Sequence, residues 1–384
     1  MKQAFSIFVF VLVFSGLTAQ ETFFPFASRP VRDSVTQALH QQVRQTLLLP
    51  LQASTAAQWL GACWAMELQL YRPPGFDTLI PGHLQVLPQM GIGTQRAYLE
   101  MLYTLYPLQF ARQVAALLPR LQGHKNKAMA LEYLQQAGYA APLRLDSAFL
   151  QSDFYRLHRQ FHNRTLQAQF RKADLLDTGF LPGADLLVSF QHRDRNRPGY
   201  LQMRLAGGDW LRDSNGVVLQ FLQLARSITN LPFYLTNGNT PQGLYRITGL
   251  DTSDNDWIGP TTNLQLAMPF ERVAMPFFDL PGDEQETYRR LLGPYAKFAE
   301  LWESYEAGRI GRTEIIAHGT TIDPGFYAGQ PYWPHTPSLG CLCSPEWWND
   351  EGLREQSEQE AWIRWVREGL VQPRWLVVVE IADI

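Results

Sequence analysis

The sequence predicts an α+β protein: an N-terminal all-helical domain followed by a β-rich domain with helical insertions. Apolar residues recur at helical spacing from about Asp33 to Arg171. From Leu186 onward, short strand-like runs alternate with Gly-, Asn- and Pro-bearing turns. Helical spacing then returns between Asp283 and Gly311. These shifts divide the 384 residues into 1–19, 20–180 and 181–384, with 283–311 as a helical insertion.

In chain order, Glu21 to Pro30 is an aromatic lead-in. Asp33 or Ser34 can cap a first helix carrying Val35, Leu39 and Val43. Ser54 opens a second, with Leu60, Trp64 and Leu68 along one face, and Arg72-Pro73-Pro74-Gly75 stops it. Thr94 to Tyr106, Leu108 to Leu118 and Asn126 to Gln136 give three more, separated by Pro107 and Pro119 and closed by Gly138. The texture changes near Gly179-Phe180-Leu181-Pro182-Gly183. Strands follow at Leu186–Phe190, Tyr200–Leu205 and Leu244–Thr248, with turn signals at Arg197-Pro198-Gly199, Ser214-Asn215-Gly216 and Asn237-Gly238-Asn239. Ser357 to Glu368 is an amphipathic helix, and Trp375 to Ile381 a closing, buried-type strand.

Composition narrows the function classes. Charged residues make up 18% and apolar residues 46%, which is globular and not disordered. A formal net charge of -3 supplies no basic footprint for nucleic acid. Lys2 followed by the apolar run Ala4–Leu17 and Thr18-Ala19-Gln20 is the pattern of an export signal cleaved near Ala19. Export to a periplasm or cell envelope, with no stable membrane anchor after cleavage, is therefore expected. Only three cysteines remain, Cys63, Cys341 and Cys343, too few for a disulfide scaffold. Cys343 can pair with Cys63 only if the fold brings them together, which spacing does not decide.

Chemistry concentrates in Ala317-His318-Gly319-Thr320 and Ser338-Leu339-Gly340-Cys341. A thiol must lose its proton to attack a carbonyl, and an imidazole removes it at neutral pH. His318 is the candidate base and Cys341 the candidate nucleophile. Gly340 lets the backbone turn tightly, leaving amide N–H groups for an oxyanion. His335 is a second-choice base and a substrate contact; Cys343 is expected to be buried and inert.

These residues resemble the L,D-transpeptidase catalytic domain (YkuD-like cysteine enzymes of bacterial cell walls). Three segments carry the likeness in the family's order over roughly the second half of the chain. Thr240-Pro241-Gln242-Gly243-Leu244-Tyr245-Arg246-Ile247 resembles the family's Thr-Pro-x-Gly-x-aromatic-x-Ile strand opening. Ala317-His318-Gly319-Thr320 resembles its His-Gly-Thr/Ser segment, and Ser338-Leu339-Gly340-Cys341-Leu342 its Ser-His-Gly-Cys motif. The resemblance implies acyl transfer on peptidoglycan stem peptides through a Cys341 thioester, with Ser338 and Gly340 shaping the turn that presents the thiol. An amine acceptor gives a cross-link; water gives an L,D-carboxypeptidase or amidase. Neither route needs a metal or organic cofactor. A wall-binding scaffold with a decayed site is the non-enzyme alternative.

The chain departs from the family's pattern at three places. Leu339 replaces a histidine, Cys343 stands where a polar residue is usual, and the segment between His318 and Ser338 is longer and rich in Pro, Tyr and Trp. These bear on specificity more than on chemistry. Gly319, Thr320, Tyr332 and Trp333 join His335 as candidate substrate contacts.

Two other patterns carry less. His158 and His162, four apart on an expected helix, have metal-ligand spacing, but the zinc-protease glutamate is absent and no third ligand is evident. A solvated helix face is the expectation there. Asn163-Arg164-Thr165 is formally a glycosylation sequon, and Trp347, Trp348, Trp362 and Trp365 are expected in the core.

Overall fold

The computed structural model describes residues 22–163, 170–177, 179–272, 275–278 and 282–381. The expected export signal and most of the sequon lie outside these. Within them the protein is α+β. Helices α1 (Arg29–Thr46), α2 (Ala56–Leu68), α3 (Phe76–Val86), α4 (Ile92–Leu105), α5 (Ala111–Leu117), α6 (His124–Gln136), α7 (Ser147–Leu150) and α8 (Asp153–His162) come first. Strands β1 (Asp185–Gln191), β2 (Gly199–Arg204), β3 (Phe221–Gln223), β4 (Gly243–Asp251) and β5 (Asn263–Ala267) follow. Next come α9 (Glu284–Leu292), α10 (Glu303–Arg309), β6 (Ile316–His318), β7 (Leu342–Cys343), β8 (Glu346–Trp348), β9 (Arg354–Ser357), α11 (Glu358–Arg367) and β10 (Pro373–Glu380).

Local chemistry explains most boundaries. The side chains of Ser152, Asp283 and Ser357 each accept an amide hydrogen bond three residues on, capping α8, α9 and α11. Two expectations are corrected. The first helix starts at Arg29 behind Ser28, with Pro30 in its first turn, so Asp33 and Ser34 lie inside it. In α2 the buried face is Trp59, Ala62, Cys63, Ala65 and Met66, whereas Leu60 and Trp64 are partly exposed. Ala62, Cys63 and Ala65 let α2 press closely on its neighbours around the buried Trp59 and Met66, which leaves Leu60 and Trp64 on the outer side. The sequence reading also omitted α3, which carries Pro81 inside it.

The sheet is mixed and eight-stranded, in the order β3-β2-β1-β10-β4-β5-β6-β7. Its centre is the apolar strand β10, parallel to β1 and antiparallel to β4. Beyond β3 the chain returns to β7: the amide of Leu224 donates to the Cys343 carbonyl at 2.8 Å, and that of Cys343 to the Leu224 carbonyl at 3.0 Å. The two ends of the sheet are thereby tied together, giving a nearly closed barrel.

Alternation along the strands sends side chains to two apolar layers. Leu187, Tyr245, Leu376 and Val378 join one cluster that runs unbroken into the helices, including Trp59, Tyr98 and Tyr133. Leu186, Val188, Leu244, Val377 and Val379 face the other layer, completed by Tyr288, Leu292, Tyr295, Phe298 and Leu301 of the 283–311 insertion. The insertion, which the resemblance makes a lid over the cleft with a surface helix pair as the alternative, packs its apolar side onto the sheet's second face. The Tyr288 hydroxyl fastens it, accepting from the Leu244 amide at 3.1 Å and donating to the Leu301 carbonyl at 2.6 Å. No helix among the described residues is long and apolar enough to cross a membrane.

Candidate active site

His318 ends β6, and Cys341 immediately precedes β7, the parallel neighbour of β6. The register pairs Ala317 with Leu342 and His318 with Cys343. Ala317 and Leu342 point into the larger core. Alternation then sends His318 to the opposite face, the side on which Cys343 lies. Cys341 precedes Cys343 by two residues, and the Ile316 amide reaches its sulfur. The two motif residues are thus brought to adjoining strands.

Each side chain has a defined partner. His318 Nδ1 lies 2.5 Å from the Gly319 carbonyl oxygen. A carbonyl only accepts, so the proton of the neutral ring sits on Nδ1 and the lone pair on Nε2. The Cys341 thiol donates to the Glu314 carbonyl at 3.4 Å, and not to His318. Burial lowers the His318 pKa below its ordinary value, and the Gly319 contact opposes this only in part. Burial likewise pushes the Cys341 thiol up, against the Ile316 amide and the Arg312 charge, which pull it down. At neutral pH the resting thiol and the resting imidazole are therefore both neutral.

The nucleophile loop is held from three sides. The Ser338 hydroxyl donates to the Cys341 carbonyl at 2.8 Å and accepts from the Gly340 amide at 3.1 Å, closing a tight turn. The Gly340 amide is consequently occupied, which corrects its expected place in an oxyanion hole; the Cys341 amide remains as the donor beside the sulfur. The Thr240 hydroxyl donates to the Gly340 carbonyl at 2.9 Å, so the Thr-Pro-Gln-Gly segment anchors this loop directly. The Gly340 φ is +118°, and a Cβ there would overlap both the Arg312 guanidinium and the Gly238 carbonyl. Glycine is required by conformation and by close approach.

Two charged residues passed over in the sequence complete the framework. Arg312 is buried and donates to the carbonyls of Phe233, Gly238 and Asn239. Burial brings its pKa down only to about 10, so it stays charged at neutral pH beside Cys341. Glu346 is fully buried behind Gly319, whose Cβ would overlap its carboxylate. It accepts from the Thr320 amide at 2.9 Å, the Thr261 hydroxyl at 2.6 Å and the Ser357 hydroxyl at 2.5 Å. It thus fixes the turn that follows His318. Neither residue lies in a local motif; only the fold brings them in.

Burial pushes the Glu346 carboxyl up to about 7 despite these donors and nearby Arg354. The raised pKa means that the folded state takes up its proton before the unfolded chain does. Stability from this group is full at low pH and falls as pH rises from the ordinary carboxylate range through about 7. The loss should reach about 3 kcal/mol. Urea denaturation at pH 5 and pH 8 checks this, since Glu346→Gln should shrink the difference by about 2–3 kcal/mol and leave the share of Glu67 and Glu100, whose carboxyls burial also raises.

The other candidates separate. Thr320 is buried, its hydroxyl donating to the Trp257 carbonyl at 3.3 Å and its carbonyl accepting from Trp348 Nε1 at 2.9 Å. Gly319 is backed by Glu346. Tyr332 is buried under the Arg226 guanidinium, 4.4 Å from its ring centre. His335 is fully buried with Nε2 3.2 Å from the Gly199 carbonyl, and burial brings its pKa down to about 4. His335 and Tyr332 therefore have no surface to offer a substrate, because their rings pack the wall behind the loop. Trp333 is 52% exposed and Leu339, beside the nucleophile, 44%. Of the other tryptophans, Trp362 and Trp348 are in the core. Cys63 and Cys343 are buried, and all three cysteines are free.

A cavity of about 1140 Å³ lies between α8 and the insertion, lined by Tyr155, Phe161, Arg289, Lys297 and Trp302. It does not include His318 or Cys341. No protein-family model, no curated protein and no solved structure matches the chain.

Proposed function

We propose that this protein is an exported cysteine acyl-transferase of the L,D-transpeptidase kind, acting on peptidoglycan stem peptides. It combines an N-terminal helical part with a β-rich catalytic part. The observation that carries the reading is the pairing of β6 with β7, which sets an imidazole with its lone pair on Nε2 next to the strand that presents the thiol.

In the reaction, the Cys341 thiol leaves the Glu314 carbonyl and gives its proton to His318 Nε2. The sulfur attacks the carbonyl of the L-centre residue. The oxyanion meets the Cys341 amide, and Arg312 adds positive potential from behind Gly340. Collapse expels D-alanine, whose amine takes the proton from the imidazolium and leaves a thioester. An acceptor amine then attacks the thioester, returns its proton through His318 and restores the thiol. The exposed Leu339 favours a second reading. With no imidazole at that position to hold or deprotonate an incoming amine, water is the simpler acceptor, and the enzyme would be an L,D-carboxypeptidase.

A carbapenem tests the chemistry. The purified chain should gain the mass of one acyl group, and Cys341→Ala should gain none. Absence of an adduct on the wild-type protein would leave only a wall-binding scaffold. Digested sacculi then divide the enzymes: new cross-links indicate a transpeptidase, and free D-alanine without cross-links a hydrolase.

A further inference from the structure

His158 and His162 do not form a solvated helix face. Both rings turn inward from α8 onto Glu132 of α6, a residue whose side chain is 3% exposed. His158 Nδ1 lies 2.7 Å from Glu132 Oε1, and His162 Nε2 lies 2.8 Å from Oε2. The two imidazole centres are 4.8 Å apart. The buried Tyr234 hydroxyl also donates to Oε1 and lies 3.3 Å from His158 Nδ1. The third ligand that the sequence lacked comes from another helix.

We propose that Glu132, His158 and His162 form a zinc-type metal site, with the Tyr234 oxygen or a water in the fourth position. Three donor atoms lie within 4.8 Å of one another, from two imidazoles one helical turn apart and a carboxylate. Two nitrogens and one oxygen suit a borderline divalent cation such as zinc, whereas magnesium and calcium favour all-oxygen sites. Around a tetrahedral zinc, ligand atoms stand about 3.3 Å apart. The two N···O contacts, 2.7 and 2.8 Å, would open by about half an ångström, and the two ring nitrogens, within 4.8 Å, would settle at the same spacing. To bind, each ring turns the lone pair of the nitrogen now facing Glu132 to the metal and carries its proton on the other nitrogen. His162, the most exposed of the three, provides the way in.

The site also has a structural consequence. Tyr234 follows Phe233, whose carbonyl accepts from Arg312 behind Gly340. Lys125 of α6 donates to the Thr236 hydroxyl at 3.0 Å, and Asn237 donates to Glu100 of α4 at 3.2 Å. A metal here would clamp α6 and α8 at the segment that supports the nucleophile loop.

The test uses the full chain after dialysis against a chelator. Zinc titration should show one ion bound per chain and raise the melting midpoint by several degrees. Cobalt should give the strong visible bands of a tetrahedral site. His162→Gln and Glu132→Gln should each weaken uptake about a hundredfold or more and remove the cobalt bands. Far-UV circular dichroism of each variant confirms that it is folded. His162→Gln, at the partly exposed ligand, serves if Glu132→Gln does not fold. A wild-type chain that binds no zinc, or uptake unchanged in folded His162→Gln, overturns the proposal. The pair would then be a hydrogen-bonded ion cluster alone.

Discussion

His318→Asn should slow acylation of Cys341 by about a hundred- to ten-thousand-fold, the usual worth of a positioned general base. The resting pair is neutral, so the wild-type rate should follow the unprotonated fraction of His318. His318 has a lowered pKa, so the acid limb should lie below the ordinary histidine value of about 6.5. The rate should then stay level through neutrality. Alkylation by iodoacetamide offers an independent reading, because it reports the thiolate directly. Burial raises the Cys341 pKa, so alkylation should be slow at pH 7 and climb only on the alkaline side of an ordinary thiol. An alkylation inflection well below pH 7 would instead mean a preformed thiolate–imidazolium pair and a different mechanism.

Arg312→Met should cost about 3–5 kcal/mol and raise the thiol pKa further. The guanidinium donates to three backbone carbonyls, those of Phe233, Gly238 and Asn239, and methionine removes that shared donor from all three. The lost charge also removes one of the groups that pull the Cys341 pKa down. Arg312→Lys restores the charge but not the fork, because an ammonium cannot reach three divergent acceptors from one planar group. It should recover the alkylation profile more fully than the stability. Urea denaturation and the pH dependence of alkylation separate the two effects. Equal stability of Arg312→Met and wild type would remove Arg312 from its assigned place.

These results depend on residues of unequal legibility. His318, Ser338, Gly340 and Cys341 stand out because a nucleophile turn is built from neighbours in sequence, and its hydrogen bonds, such as Ser338 to Gly340, span two or three residues. Thr240 was visible as part of a turn, but its bond to the Gly340 carbonyl crosses 100 positions and appears only on folding. Arg312 and Glu346 carry no local signal, since burial of a charge is decided by partners far along the chain. Tyr332 and His335 looked available in a Pro- and Trp-rich loop, yet the loop folds their rings inward. His158 and His162 had ligand spacing without a third ligand until α6 brought Glu132 against them.

By itself the sequence determined the α+β class, the position of the central strands and the candidate dyad, because periodicity and turn chemistry act over a few residues. Tertiary structure alone decided that the 283–311 insertion covers the sheet's second face, that Arg312 and Glu346 back the candidate site, and that two histidines share one buried carboxylate. Those outcomes depend on which distant groups desolvate one another, and no local pattern encodes that.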